Sequence, residues 1–385
     1  LPLQGLVIDG AAGATLGVPQ AFTVSTLPAV VSRPITYTWQ VTGQDPVVVV
    51  GGLQDTQTFS WDLTGDKTVT VRAANRCSSA VESVVAAVTS RGLIAFERHY
   101  CRRDVEGDLV CDPHDIWVRS YDGRGVEINL TNTPDLDEGV PTWSPDGHFL
   151  AYSAGPMDGS RALYKMDLRS GTIEALTDGT YDERWPAWSP LGDRIAFQRR
   201  TPGEQDDVYL INPDGSGLFK LTDWLYGDRF PAWSRDGQWI AFSSDRFYAG
   251  QDLYIVRPDD PSSVQIVLQT NREGKDDLRD EVYPSWSLDG WIYYTFAYRD
   301  APADGFDYLY RIRPDGSGAT PVFDDGLERY IPTFSPDGRC FAFYGTLGGP
   351  DKEVWTWCND TGATVNLTDN GDLVGDEYCA WSPVR

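Results

Sequence analysis

Val140-Pro141-Thr142-Trp143-Ser144-Pro145-Asp146-Gly147-His148-Phe149-Leu150-Ala151-Tyr152 is one copy of a pattern that returns at Trp185 to Phe197, Phe230 to Phe242, Tyr283 to Thr295 and Ile331 to Phe343. Its large aromatic recurs at Trp143, Trp188, Trp233, Trp286, Phe334 and Trp381, about 45 to 53 residues apart, which is the period of a four-stranded propeller blade. One copy reads as a short strand, a Ser-Pro-Asp-Gly turn and a second strand. Proline presets the first turn angle, aspartate bonds the backbone beside it, and glycine accepts φ > 0. A third strand such as Asp207-Val208-Tyr209-Leu210-Ile211, a turn over Asn212 to Gly217 and a fourth strand Phe219 to Thr222 complete the unit.

The two ends of the repeat region complement each other. The last copy stops after its first strand, Cys379-Ala380-Trp381-Ser382-Pro383, whereas residues 92 to 97 supply an orphan second strand, followed by strands at Asp115 to Ser120 and Val126 to Thr131. The reading is therefore all-β, with a six-bladed propeller over residues 91–385 closed by pairing of its N- and C-terminal strands in one blade, which removes open sheet edges.

The set Pro-x-Trp-Ser-Pro-Asp-Gly, Ile-Ala-Phe, Asp-Leu-Tyr and Leu-Thr resembles the TolB-type six-bladed propeller family over residues 91–385. Single copies depart from it at Leu191-Gly192, Arg235 and Leu288, and Trp291-Ile292-Tyr293-Tyr294 stands in place of Ile-Ala-Phe. Residues 1–90 differ in texture. Phe22 to Val24, Ile35 to Val41, Val47 to Val50, Thr58 to Trp61 and Thr68 to Ala73 alternate between turn clusters, the pattern of a β-sandwich. This segment resembles the immunoglobulin-like PKD modules, which implies a spacer or adhesion unit without chemistry.

The chain has 385 residues and a formal net charge of -25, which opposes nucleic-acid and anionic-membrane partners and favours cations or basic partners. No apolar run long enough for a transmembrane segment occurs, and Leu1 opens no signal peptide, so a mature or trimmed chain is expected. Cys101 and Cys111 bracket one loop, and Cys340 faces Cys358 if Tyr344 pairs with Val354. Both pairs are expected as disulfides, which places the protein in an oxidising, extracytoplasmic compartment. Cys77 and Cys379 remain, either as a staple between domains or as two buried thiols.

Acids precede each inner strand, at Asp137-Glu138, Asp182-Glu183, Asp228, Asp280-Glu281, Glu328 and Asp376-Glu377, and arginines interleave at Arg184, Arg229, Arg279 and Arg329. Glu138, Glu183, Arg184, Asp228, Arg229, Glu281, Arg329 and Asp376 are thus the candidate binding residues, ringing a channel mouth on the face that carries the variable loops. Inter-blade salt bridges are the competing reading. For chemistry, His99 and His114 could meet at a metal with Asp112 or Asp115, while His148 lies in a turn on the opposite face. Calcium is left unassigned at Asp276-Asp277, Asp280-Glu281 and Asp324-Asp325, and no other cofactor is indicated. No Gly-x-Ser-x-Gly elbow appears. The expectation is a non-catalytic binding or scaffold protein with a protein partner or a larger surface assembly; the alternative is a propeller lyase or hydrolase with a metal at the channel mouth.

Overall fold

The computed structural model describes the chain except residues 29–30, 91, 107, 124, 247–249, 269–278, 299–307, 324–326, 348–351, 371–372 and 384–385. Asp276-Asp277, Asp324-Asp325 and most of the loops at 271–282 and 298–307 lie outside the described residues. Every element among the described residues is a β-strand. Two compact units emerge: Leu1–Arg91 with Arg124–Ile128 and Leu168–Gly171, and Gly92–Gly123 with Asn129–Asp167 and Thr172–Arg385.

The first unit holds a three-stranded sheet (Gly5–Gly10, Gln20–Leu27, Gln54–Phe59) and a five-stranded sheet in the order Gly13–Thr15, Ser79–Thr89, Gly65–Ala74, Ile35–Val41, Val47–Gly51. Strand Ile35–Val41 alternates as its sequence does, burying Ile35, Tyr37, Trp39 and Val41. Trp39 packs at 5.9 Å from Phe59, and its indole donates to Asp55 at 2.7 Å. Strand Ser79–Thr89 was not expected from the sequence, because most of its side chains face solvent and leave little apolar alternation to read.

In the second unit four consecutive strands pair in order five times, beginning at Asp137–Trp143, Asp182–Trp188, Asp228–Trp233, Arg279–Trp286 and Tyr330–Phe334. The sixth sheet joins the ends of the region. Val374–Trp381 pairs with Leu93–Arg103, which continues to Asp115–Ser120 and Ile128–Asn129. The expected strand over 92 to 97 is longer than its apolar core, since it runs on through His99 and Cys101 to form a hairpin with Leu109–Cys111. The expected fourth strand over Val126 to Thr131 shrinks to Ile128–Asn129, its neighbours being held by side-chain bonds such as Asn129 Nδ2 to Asp115 at 2.8 Å.

The Ser-x-Asp-Gly turns are built alike. The serine hydroxyl donates to the turn aspartate at 2.6 Å in Ser144–Asp146 and Ser234–Asp236, and Gly147 takes φ 70°. The aromatic just before each turn inserts against the preceding sheet: Trp233 packs among Ala196, Val208 and Leu210, and Trp286 among Ala241, Leu253 and Ile255. In two of these the indole reaches back to a carbonyl of that sheet, Trp233 to Ala187 at 3.0 Å and Trp286 to Ala232 at 3.1 Å, whereas Trp188 turns to Gly192 of its own turn at 3.5 Å. Trp143 reaches back to Ala380 at 3.0 Å, linking the first complete sheet to the last strand of the chain.

Candidate functional site

The inner strands converge on one channel, which has three tiers along its length. At the tier where the chain enters these strands sit the candidate acids. They are not an exposed acidic lining: Glu138 and Glu183 are 1% exposed, and Asp228, Glu281 and Asp376 are 0% exposed. A buried carboxylate must be neutralised or hydrogen-bonded, and each fold neighbourhood does this with its own means. Asp376 accepts from Arg98 Nε at 2.5 Å and a second guanidinium nitrogen at 3.1 Å, and Asp228 accepts from Arg246 at 3.2 and 2.8 Å. Glu183 is held by Arg199 and by the Thr177 hydroxyl. Glu138 has the Thr133 hydroxyl at 2.6 Å and, among the described residues, no arginine, so burial pushes its carboxyl up to about 7.

The cations opposite these acids come from the end of the second strand of the same sheet, with Asp376 registered against Arg98 and Glu183 against Arg199. This departs from the expected inter-blade bridging at Arg184. Arg184 instead turns to Asp182 at 3.0 Å, and Arg329 stacks over Phe323 at 3.9 Å. Arg229 spans two sheets as anticipated, donating to Asp206 at 2.7 Å as well as to Asp245 at 3.2 Å. The Arg279 side chain lies outside the described residues.

His99 and His114 do meet, edge to face with centroids 4.4 Å apart, but with other carboxylates than Asp112 or Asp115. Asp112 pairs with Arg102 at 2.5 Å, and Asp115 accepts from Asn129 and from the Thr133 amide. His114 Nδ1 lies 2.6 Å from Asp137, which Arg161 also engages. Burial opposes the charge of Asp137, yet the His114 bonds and Arg161 outweigh it and pull its carboxyl down to about 2. Beneath them Glu97, pushed up to about 7 by burial, accepts from the Val140 amide at 3.0 Å. Among the described residues the grouping with metal-like spacing is His99, Cys101 and Cys111, and its two sulfurs form one disulfide.

The middle tier was missed by sequence reasoning. Val140, Trp185, Phe230, Tyr283, Ile331 and Tyr378 all take φ between 45° and 59°, in bulges of the inner strands. A bulky residue in the left-handed region costs on the order of 1–3 kcal/mol and persists only where the surroundings enforce it. Here the enforcement is mutual packing. Trp185 lies 4.7 Å from Phe230, 5.1 Å from Tyr283 and 4.9 Å from Tyr378, and the six residues line a constriction of about 180 Å³. The available signal was the apolar residue before each Pro-x-Trp, which ordinary strand alternation absorbed.

The third tier, at the tight turns, is a funnel of about 440 Å³ bordered by the edges of Trp143, Trp188, Trp233, Trp286 and Trp381, the turn prolines and Leu288. A shallower depression of about 600 Å³ on the first unit, around Gln40 to Asp45, gathers no buried charge.

With this repeat geometry in view, residues 111–384 match the family described as TolB beta propeller domain. The chain belongs to that family. TolB-type propellers commonly mediate protein interactions. The structure is similar to TolB from Acinetobacter baumannii (TM-score 0.59, 16% identity, 91% of this chain and 83% of that one). It is also similar to putative TolB from Agrobacterium tumefaciens (TM-score 0.50, 19% identity, 76% and 99%) and to Kuenenia stuttgartiensis hydrazine synthase (TM-score 0.59, 15% identity, 76% and 47%). At these identities the likeness is one of fold. No curated protein matches by sequence.

Within the TolB-type propeller both expected disulfides form, Cys101–Cys111 and Cys340–Cys358, with Cα atoms 3.9 and 4.0 Å apart; the second sits in the anticipated register of Tyr344 against Val354. Cys77 and Cys379 are free thiols, so the staple does not form, and Cys77 is exposed where a buried pair was the other expectation. Burial pushes the Cys379 thiol up to about 12. Among the described residues no helix is long and apolar enough to cross a membrane.

Proposed function

We propose that this is a non-catalytic, extracytoplasmic binding protein, in which an immunoglobulin-like module precedes a six-bladed TolB-like ring that docks a protein partner on its variable-loop face. Ring closure rests on the pairing of Val374–Trp381 with Leu93–Arg103 and on the Trp143 bond to Ala380. The two disulfides favour an oxidising compartment.

The observation that carries the docking reading is exposed apolar surface on loops fixed to a rigid base. Trp224, Leu225 and Tyr226 stand exposed in succession, Leu225 at 89%. Val105, Leu109 and Val110 are likewise exposed on the hairpin that Cys101–Cys111 staples. Exposed aromatic and aliphatic residues rimmed by charge are what protein interfaces use as anchors, and prior rigidity lowers the entropy cost of docking. Beneath the first loop, Arg246 lies 4.7 Å from the Trp224 ring while bonding Asp228, so the buried acid tier supports the loop above it.

A photo-crosslinker at position 225, activated in the native cells, tests this. A discrete protein adduct that disappears when Tyr226→Asp is added supports the reading. No adduct, or one indifferent to Tyr226→Asp and to Val110→Asp, overturns it.

A further inference from the structure

The funnel at the tight-turn end offers a second, chemically distinct site. Among the described residues its border includes no aspartate or glutamate, although the whole chain carries 57 of them. The single charged side chain on that border is Arg235. It occupies the turn position that is proline in Pro145, Pro190, Pro336 and Pro383, so turn formation gains nothing from arginine there. Among the described residues no carboxylate forms an ion pair with it. One guanidinium nitrogen reaches the Phe334 carbonyl at 3.4 Å, from a strand two sheets further round. A guanidinium presents five N–H donors in a planar fork, so most of its donors lack a protein acceptor.

The wall next to it provides another unused polar group. Thr142 and Thr333 accept the backbone N–H of Trp188 and Trp381 through their hydroxyls, at 3.2 and 3.1 Å. Ser285 holds the equivalent place and makes no such bond among the described residues. An arginine fork and a hydroxyl over an apolar floor of tryptophan edges, proline rings and Leu288 form a site with one anionic and one apolar half. Local rules broken without local reward are where functional demands show.

We propose that the funnel binds a ligand whose apolar body ends in a carboxylate, the carboxylate taken by Arg235 and the body by the aromatic floor. A free aromatic acid and the C-terminal end of a peptide share this chemistry. The site lies at the opposite end of the channel from the proposed protein-docking loops and stands independently of them.

Isothermal titration calorimetry on the full chain tests it with four probes: 3-phenylpropionate, its amide, a short apolar peptide ending in Phe with a free carboxylate, and the same peptide amidated. At least one carboxylate should bind ten-fold or more tightly than its amide, because a bidentate charge-assisted contact is lost on amidation. Arg235→Gln should remove that preference and leave the amides unchanged; Arg235→Pro, which restores the turn pattern of the sister blades, should do the same with the fold intact. Binding by the free acid identifies a small-molecule site, and binding by the peptide alone identifies a chain terminus. Equal binding of acid and amide, no binding by any probe, or an acid preference that survives both variants would overturn the proposal.

Discussion

The two ends of the channel solve opposite problems with the same repeated strand. At the entry end, five of the inner strands bury an acid, and where its partner is seen the surrounding sheet supplies a cation or hydroxyl, as in Asp228 with Arg246 and Asp376 with Arg98. At the tight-turn end the repeat buries a tryptophan that donates to the previous sheet, and there the isolated charge, Arg235, is left without a carboxylate. A charge that is fully paired inside a fold is architecture. A charge left unpaired over an apolar floor is available to a ligand. The acids that look most like a binding ring in the sequence are therefore the ones most occupied by the protein itself.

This contrast can be broken most directly at Asp228. Asp228→Asn should leave the Arg246 guanidinium buried without its counter-charge and destabilise the protein by about 3–5 kcal/mol in a denaturant titration. The further change Arg246→Met should recover much of the loss; if the single variant unfolds like the parent, the acid tier is not architectural. The next effect is one of pH. Glu138 titrates at about 7 when folded against an ordinary 4.5, so the folded state binds the proton more tightly. Its contribution is complete below about pH 4.5 and is lost as pH rises through about 7, on the order of 3 kcal/mol. Glu138→Gln should flatten that decline in stability between pH 5 and 8, whereas an unchanged slope would place the loss elsewhere, with Glu97 and Glu353, both also pushed up to about 7 by burial, as the next residues to test.

Smaller effects sharpen the other end. Trp143→Phe removes the bond to Ala380 and leaves that carbonyl short of a donor, roughly 1–3 kcal/mol. A loss no greater than that of a surface substitution would count against ring closure through the terminal strands. Arg235→Gln should change stability by less than about 0.5 kcal/mol, as expected for an exposed side chain with one long hydrogen bond. A large loss there would make Arg235 a structural residue and remove the contrast.

What could be read in the sequence follows from the range of each interaction. The Ser-Pro-Asp-Gly turns, the tryptophan spacing and the Cys340–Cys358 register depend on neighbours a few residues away or on one hairpin, and all were legible. The identity of the buried partners was not, because Arg98 and Asp376 are 278 residues apart and nothing local marks them as a pair. Nor did the pattern before Pro-x-Trp disclose that Val140 or Tyr378 takes positive φ, a conformation held by side chains of several inner strands packing against one another. Arg235 was visible as a departure from the turn motif; only the funnel around it gave the departure a meaning.

The late arrival of the Val374–Trp381 strand has a consequence for synthesis. On the ribosome, at roughly 5–20 residues per second, Arg98 emerges about 14–56 s before Asp376 does. Throughout that interval the first-made sheet of the repeat region lacks its innermost strand and keeps a guanidinium and an open edge beside it. The earliest-made sheet of the repeat region is thus the last of its sheets to be completed, and a stalled or prematurely released product would expose a strand edge ready to pair with other chains.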